Sequence, residues 1–280
     1  MLLKLWGFAA TAATVAAHGG VWNYVINNTT YKGYVLSTII KGVKYSFSDT
    51  RYQWWDKDPN VIRPNNVCQF GTPPSNQSTI QRKWPCVNPI VDLLSPYFAC
   101  NNDGSANSGL HAKIAAGDII DAHYDAKLNI GNVDIDGNRI EVYAGWPHGW
   151  GPIMAYMAAC NGPCNEVDVN DGARRWFKIY EGGLLNGTAS DGYWKVMDLY
   201  YKNDPFRVTI PKNIKPGNYL IRHEIIAIHF TTTMYYMECA QLEVTGSGNA
   251  VPEEKHLVSF PGAYDLHGKD PLFKFTVIRS

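Results

Sequence analysis

The sequence predicts an all-β protein built as a sandwich of two sheets. Short runs of β-branched and aromatic residues recur along it, and Gly, Pro, Asn and Asp punctuate the gaps between them. No stretch sustains the apolar period of a helix for long. In order, the runs are 21–26, 119–124, 139–143, 176–180, 194–199, 206–210, 219–230, 240–244 and 273–278. In the last, Phe273, Phe275 and Val277 alternate with Lys274 and Thr276, the pattern of a half-buried strand. Many short strands joined by turns make a β-sandwich. With no internal repeat and no low-complexity linker, residues 18–280 read as a single domain.

Residues 1–17 read as a secretion signal. Lys4 precedes an apolar run over 5–13, and the small residues Val15 and Ala17 sit at the spacing of a cleavage site. That run is too short for a bilayer, which takes about 20 residues of helix. No other long apolar run and no lipid-anchor signal follows, so a secreted, extracellular, soluble monomer beginning at His18 is expected. Twenty-five basic residues balance 25 acidic ones, which argues against nucleic acid or an anionic membrane as partner. The 9 Trp and 17 Tyr suit a neutral ligand instead.

All 6 cysteines follow the signal, and in an oxidising compartment they read as three disulfides. Cys68 and Cys86 lie in the least regular stretch, 41–97, where a bridge between them would close a long loop. Cys160 and Cys164 flank Asn161-Gly162-Pro163, a turn suited to a tight local disulfide, which leaves Cys100 with Cys239. Asn27, Asn28, Asn76 and Asn186 each open a glycosylation sequon.

An N-terminal His18 is chemically unusual. Its α-amino nitrogen and its imidazole belong to one residue and together chelate a metal ion. One further imidazole completes a three-nitrogen, roughly planar set, which among common divalent metals suits Cu(II) best.

His18-Gly19-Gly20-Val21 begins a longer likeness. It continues through Tyr31 and Tyr34, Phe98-Ala99-Cys100, Ala115-Ala116-Gly117-Asp118, Gly151-Pro152, Tyr156 and Cys160. The likeness is strongest from Trp176-Phe177-Lys178-Ile179 onward, through Pro216-Gly217-Asn218-Tyr219-Leu220, Arg222-His223-Glu224 and His229. Cys239-Ala240-Gln241-Leu242 and Phe260-Pro261-Gly262-Ala263-Tyr264 close it. On these residues the chain resembles the fungal lytic polysaccharide monooxygenases of auxiliary-activity family nine, formerly glycoside hydrolase family 61. Roughly 48–92 matches poorly.

The resemblance implies an immunoglobulin-like β-sandwich whose long loops form a flat face around one copper ion. His18 is then the first ligand and Tyr236 the axial tyrosine, with His229 the histidine that faces the oxygen species. It also supports the Cys100–Cys239 and Cys160–Cys164 bridges. The implied activity is copper-dependent oxidative cleavage of a β-1,4-glucan such as cellulose. The C1 or C4 carbon would be hydroxylated with an external electron donor and O2 or H2O2. A secreted or cell-wall copper-binding protein of the same fold with little oxygenase activity is the alternative.

Two positions depart from the family pattern. The second ligand histidine normally lies two residues before the Gly-Pro pair, where this chain has Gly149. His148 stands one place earlier, and a turn through Gly149 would re-aim it as the ligand, because glycine tolerates φ values that other residues avoid. The second departure is Met234, which replaces a glutamine two residues before the axial tyrosine. Methionine commonly fills apolar gaps; beside copper its soft sulfur would favour Cu(I). The 229–234 loop also reads as about four residues shorter than the family's.

His111, His123, His256 and His267 have no partner at metal-ligand spacing and read as surface or sheet residues. His223, on the strand of His229, stands about 20 Å from it at about 3.3 Å per residue, too far to share a metal. Tyr24, Trp150 and Tyr264 are candidates for stacking on a flat polymer, while Trp22 and Phe275 are expected in the core. Glu224 and Glu181 make no hydrolytic pair.

Overall fold

The computed structural model describes residues 17–33, 78–84, 89–101, 103–106, 108–133, 139–143, 146–228 and 233–264; at 17, 18, 125–133 and 139–143 this is the backbone alone. Along the chain, β1 (Ala17–Ile26) and β2 (Thr29–Lys32) precede β3 (Ala112–Ala115), β4 (Ile119–Val133) and β5 (Arg139–Tyr143). Next come β6 (Ile153–Ala159), β7 (Trp176–Gly182), β8 (Leu184–Asn186), β9 (Tyr193–Trp194) and a short helix, α1 (Met197–Lys202). β10 (Phe206–Thr209), β11 (Gly217–Ile228) and β12 (Thr233–Thr245) complete the described set.

These strands form the two sheets of an immunoglobulin-like sandwich. One has the order β10-β4-β1-β2, with β5 also on β4. The other has the order β3-β12-β11-β6-β7, and β8 and β9 make a separate ribbon. Its centre is the antiparallel pair of β11 and β12, in register from Gly217↔Val244 to Ile228↔Thr233. Val21, Tyr24 and Ile26 of the first sheet meet Ile221, Ile225, Tyr236 and Leu242 of the second in the interior.

The second sheet is buried on both faces, which hid β6 from the sequence. Ile153, Ala155 and Met157 face the interior, while Met154, Tyr156 and Ala158 join an outer cluster with Phe98, Trp176 and Phe260. Apolar residues on both faces leave no alternation to read. Segments 78–84 and 89–101 help cover that outer face. Arg82 N donates to Cys239 O at 2.7 Å, and Ile90 N to Tyr235 O at 2.9 Å. A Cys100–Cys239 disulfide ties the cover to β12, and Cys160–Cys164 closes the turn after β6. Beneath the cover, Arg222 and Glu224 form a fully buried ion pair, with the guanidinium 3.8 Å above the Phe260 ring.

Two local expectations need correction. The run 194–199 is not one strand: it leaves β9 and turns into α1. Asp198, in the first helical turn, accepts hydrogen bonds from Lys195 and Lys202 at 2.6 Å and from Tyr193 at 2.8 Å. Asn203, in the left-handed region at φ 55°, ends the helix. Met197 and Leu199 are buried, while Tyr200 and Tyr201 point outward. The second correction concerns Tyr24, which lies wholly inside the sandwich and presents no ring to a polymer. A β-bulge at Trp22 shifts the register against β4, so Tyr24 turns inward with Val21 and Ile26.

Asn27 and Asn28 form the two-residue turn from β1 to β2, both with positive φ, as a type I′ hairpin requires. Cys68, Cys86, Asn76, His229, His267, Phe275 and the run 273–278 lie outside the described residues. Among the described residues, no helix is long and apolar enough to cross a membrane.

Candidate metal centre

The loop 146–152 enters from β5 and is fastened to the end of β11. Ile226 N donates to Pro152 O and Ile228 N to Trp150 O, each at 3.0 Å. Gly151 makes this possible. Its φ is +128°, and a β-carbon there would stand 1.8 Å from Ile226 O. The residue that needs a special backbone is therefore Gly151, and Gly149 is absent from the positive-φ glycines. A β-carbon on Gly149 would only touch the Tyr200 ring at 3.6 Å.

Held this way, the loop turns His148 onto β12. His148 Nε2 lies 2.9 Å from Tyr236 Oη, and the two rings tilt by 32° with centroids 5.2 Å apart. Trp146, fully buried, backs both, with its ring 4.9 Å from Tyr236 and 5.2 Å from His148. Met234 Sδ accepts from Tyr236 Oη at 3.4 Å. The hydroxyl has one proton, so it donates either to the sulfur or to an unprotonated Nε2. Burial, with the Glu238 charge adding to it, raises the Tyr236 pKa well above the ordinary tyrosine value. The Tyr236 hydroxyl thus stands in contact with a nitrogen and with a sulfur.

The backbone of His18 arrives at the same end of the sandwich. His18 pairs with Lys127 of β4, and Lys127 pairs with Tyr143 of β5, the strand that leads into the His148 loop. Across the sandwich, Gly20 lies against Glu238. Gln81 Nε2 donates to Val21 O, and Gln81 bridges Ala240. β1 and β12 therefore advance together, and stepping back from Gly20 and Glu238 leads to His18 and Tyr236.

The other sequence-selected residues separate. Trp150 is exposed beside His148, at 46 %. Tyr264 is half-buried on the outer face, stacked against Tyr235, and its hydroxyl donates to Glu224. His223 is buried between Tyr24 and Phe206, and burial lowers its pKa to about 3. His111 Nε2 accepts from Cys164 N, a structural role. Glu224 is committed to Arg222, and Glu181 is bonded to Lys178. Asn27, Asn28 and Asn186 are all exposed, and the Asn27 amide donates to Asp118 Oδ2 at 2.9 Å.

Tyr200 and Tyr201, which the sequence reading passed over, flank the site from α1. They are 42 % and 66 % exposed, their rings meet edge to face at 4.7 Å, and Tyr200 abuts Gly149. The signal for them was the polar spacing of Asp198 and Lys202 around two adjacent tyrosines, which suits one helical turn.

The fold is a β-sandwich that sets His148, Tyr236 and Met234 side by side at one end, with the exposed rings of Trp150, Tyr200 and Tyr201 nearby. The chain belongs to Auxiliary Activity family 9 (formerly GH61), whose sequence model matches residues 18–279. It is 34% identical over 259 residues to the AA9 family lytic polysaccharide monooxygenase B of Heterobasidion irregulare, covering 91% of this chain and 84% of that one. With lytic polysaccharide monooxygenase D of Thermothelomyces thermophilus it shares 30% over 285 residues, 99% and 88% of the two chains. Among solved structures, HiLPMO9B superposes with a TM-score of 0.65 at 32% identity, covering 89% and 88%. A cellulose-active polysaccharide monooxygenase from M. thermophila gives 0.61 at 29%, covering 88% and 86%. Membership places this chain among the polysaccharide-oxidising monooxygenases.

Proposed function

We propose that this chain is a secreted copper monooxygenase that cleaves β-1,4-glucans such as cellulose by hydroxylation at C1 or C4. The observation that carries the reading is the 2.9 Å approach of His148 Nε2 to Tyr236 Oη at the end of the sandwich where the backbone of His18 lies in the first residues of β1. The donor set fits copper: an imidazole and a phenol meet there, and a processed His18 would add an amine and a second imidazole. One copper ion held by His18, His148 and Tyr236 would supply the one-electron chemistry that activates O2 or H2O2 against a sugar C–H bond. An external donor would supply the electrons.

The chain's own residues divide the remaining tasks. Trp146 packs behind His148 and Tyr236 and keeps both rings from swinging. The raised Tyr236 pKa keeps its hydroxyl protonated near neutral pH, so it serves as a neutral oxygen donor. On the family resemblance alone, His229 is given the hydrogen bond to the oxygen co-substrate. Trp150, Tyr200 and Tyr201 offer exposed rings to the glucan, which stacks on aromatic faces without needing charge. Residues 1–17 serve as the secretion signal, and 18–280 act as one monomeric domain.

Copper titration of the secreted chain, followed by electron paramagnetic resonance, tests the reading. Nitrogen hyperfine structure that diminishes in His18→Ala and His148→Ala, with oxidised oligosaccharides released from cellulose, is the expected result. A secreted chain with no bound copper and no oxidised products refutes it.

A further inference from the structure

Met234, the second residue of β12, lies opposite Ala227 of β11 and is half-buried against the interior cluster. A methionine that only fills space needs no polar neighbour for its sulfur. Here Sδ lies 3.4 Å from Tyr236 Oη, and that oxygen lies 2.9 Å from His148 Nε2. Two residues apart on one strand, Met234 and Tyr236 project to the same face, and the Tyr236 oxygen stands in contact with both the Met234 sulfur and the His148 imidazole. A thioether is a poor hydrogen-bond acceptor but a good soft donor. That mismatch between its chemistry and its present partner points to a metal.

We infer that Met234 Sδ is a further donor of the metal centre and that the resulting nitrogen–oxygen–sulfur set holds Cu(I) in preference to Cu(II). The inference rests on the copper reading above and sharpens it, because soft thioether ligands select Cu(I) while imidazole accepts either state. Met234 acts as a specificity-determining ligand: it sets which oxidation state the protein keeps at rest.

The test uses the secreted chain and Met234→Leu, which preserves side-chain volume and removes only the sulfur's donor capacity. Cu(I) and Cu(II) affinities are measured by chelator competition, and X-ray absorption of the Cu(I) form reports whether sulfur is a neighbour. In the wild type a sulfur neighbour is expected, and Met234→Leu abolishes it. Cu(I) binding should weaken about tenfold with Cu(II) binding little changed, equivalent to a fall of about 59 mV in the one-electron potential. A wild-type spectrum without sulfur, or equal affinity ratios in the two proteins, overturns the inference and leaves the copper reading standing. A wild-type chain that binds neither ion overturns both.

Discussion

Gly20 of β1 touches Glu238 of β12 across the sandwich: a β-carbon on Gly20 would stand 2.6 Å from Glu238 Oε1 and 2.8 Å from the Trp84 ring. The contact lies two residues inside His18 on one sheet and two residues inside Tyr236 on the other. It therefore sets the spacing of the ends that the proposed metal centre would join. Gly20→Ala should cost about 1–3 kcal/mol through overpacking and weaken Cu(II) binding with it. Denaturant unfolding and copper titration check the pair. Full stability with unchanged copper affinity would show that the sheets are spaced elsewhere.

Glu238 gives the fold a pH dependence. Its carboxyl is fully buried, Oε1 accepts from Asn101 at 3.3 Å, and burial pushes its pKa up from 4.5 to about 8. Below pH 4.5 folded and unfolded chains both hold this proton, whereas between 4.5 and about 8 only the folded chain does. Stability from this group therefore falls as pH rises through that window, by about 1.4 kcal/mol per pH unit, and then levels off. Glu238→Gln should flatten the decline and raise the melting temperature at pH 8. An unaltered pH profile would count against a protonated Glu238.

Arg222 and Glu224 should be costly to separate. The guanidinium donates to both carboxylate oxygens, at 2.6 and 2.9 Å, and also to the carbonyls of Ala99 and Phe98. Glu224→Gln leaves a buried, unmatched cation, and a loss of about 3–5 kcal/mol in denaturant unfolding is expected.

Gly151→Ala should damage the metal centre more than the fold. With a positive φ and Ile226 O in the way, the loop must shift to admit a methyl group. His148 then loses its aim at Tyr236. Copper affinity should fall by tenfold or more, while the far-ultraviolet circular dichroism keeps its β-sheet form. Retained affinity would mean that the loop adapts without moving His148.

Trp150→Ala and Tyr201→Ala should each weaken binding to solid cellulose severalfold, since stacking on one ring contributes about 1 kcal/mol. Both side chains are exposed, so thermal stability should stay within about 0.5 kcal/mol of wild type. Equal pull-down by the variants would remove the rings from the substrate face.

Much of the fold was legible because strands with one solvated face announce themselves. The run 206–210 became β10 at nearly the expected bounds, and 119–124 opened β4, which runs on to Val133. β6 stayed hidden because both of its faces are covered, and the helix at Met197, held by the local hydrogen bonds of Asp198, is too short to show a helical apolar period. At the centre, sequence spacing drew attention to His148, Met234 and Tyr236. It misjudged Tyr24, because one extra residue in β1 inverts the faces. Nor did it show that Gly151 anchors the His148 loop, which depends on a carbonyl of β11 far away in sequence.

The Asn27–Asn28 turn lies at the opposite end of β1 from His18, about 30 Å away along a strand of 10 residues. Asn28 is exposed there, so a sugar chain or a surface linker attached to it would project from the pole opposite the aromatic rings. A protein tethered by that turn would meet an insoluble fibre with its working face outward. The hairpin is thus a natural handle for immobilising the molecule on a bead or electrode without obstructing the face that carries those rings.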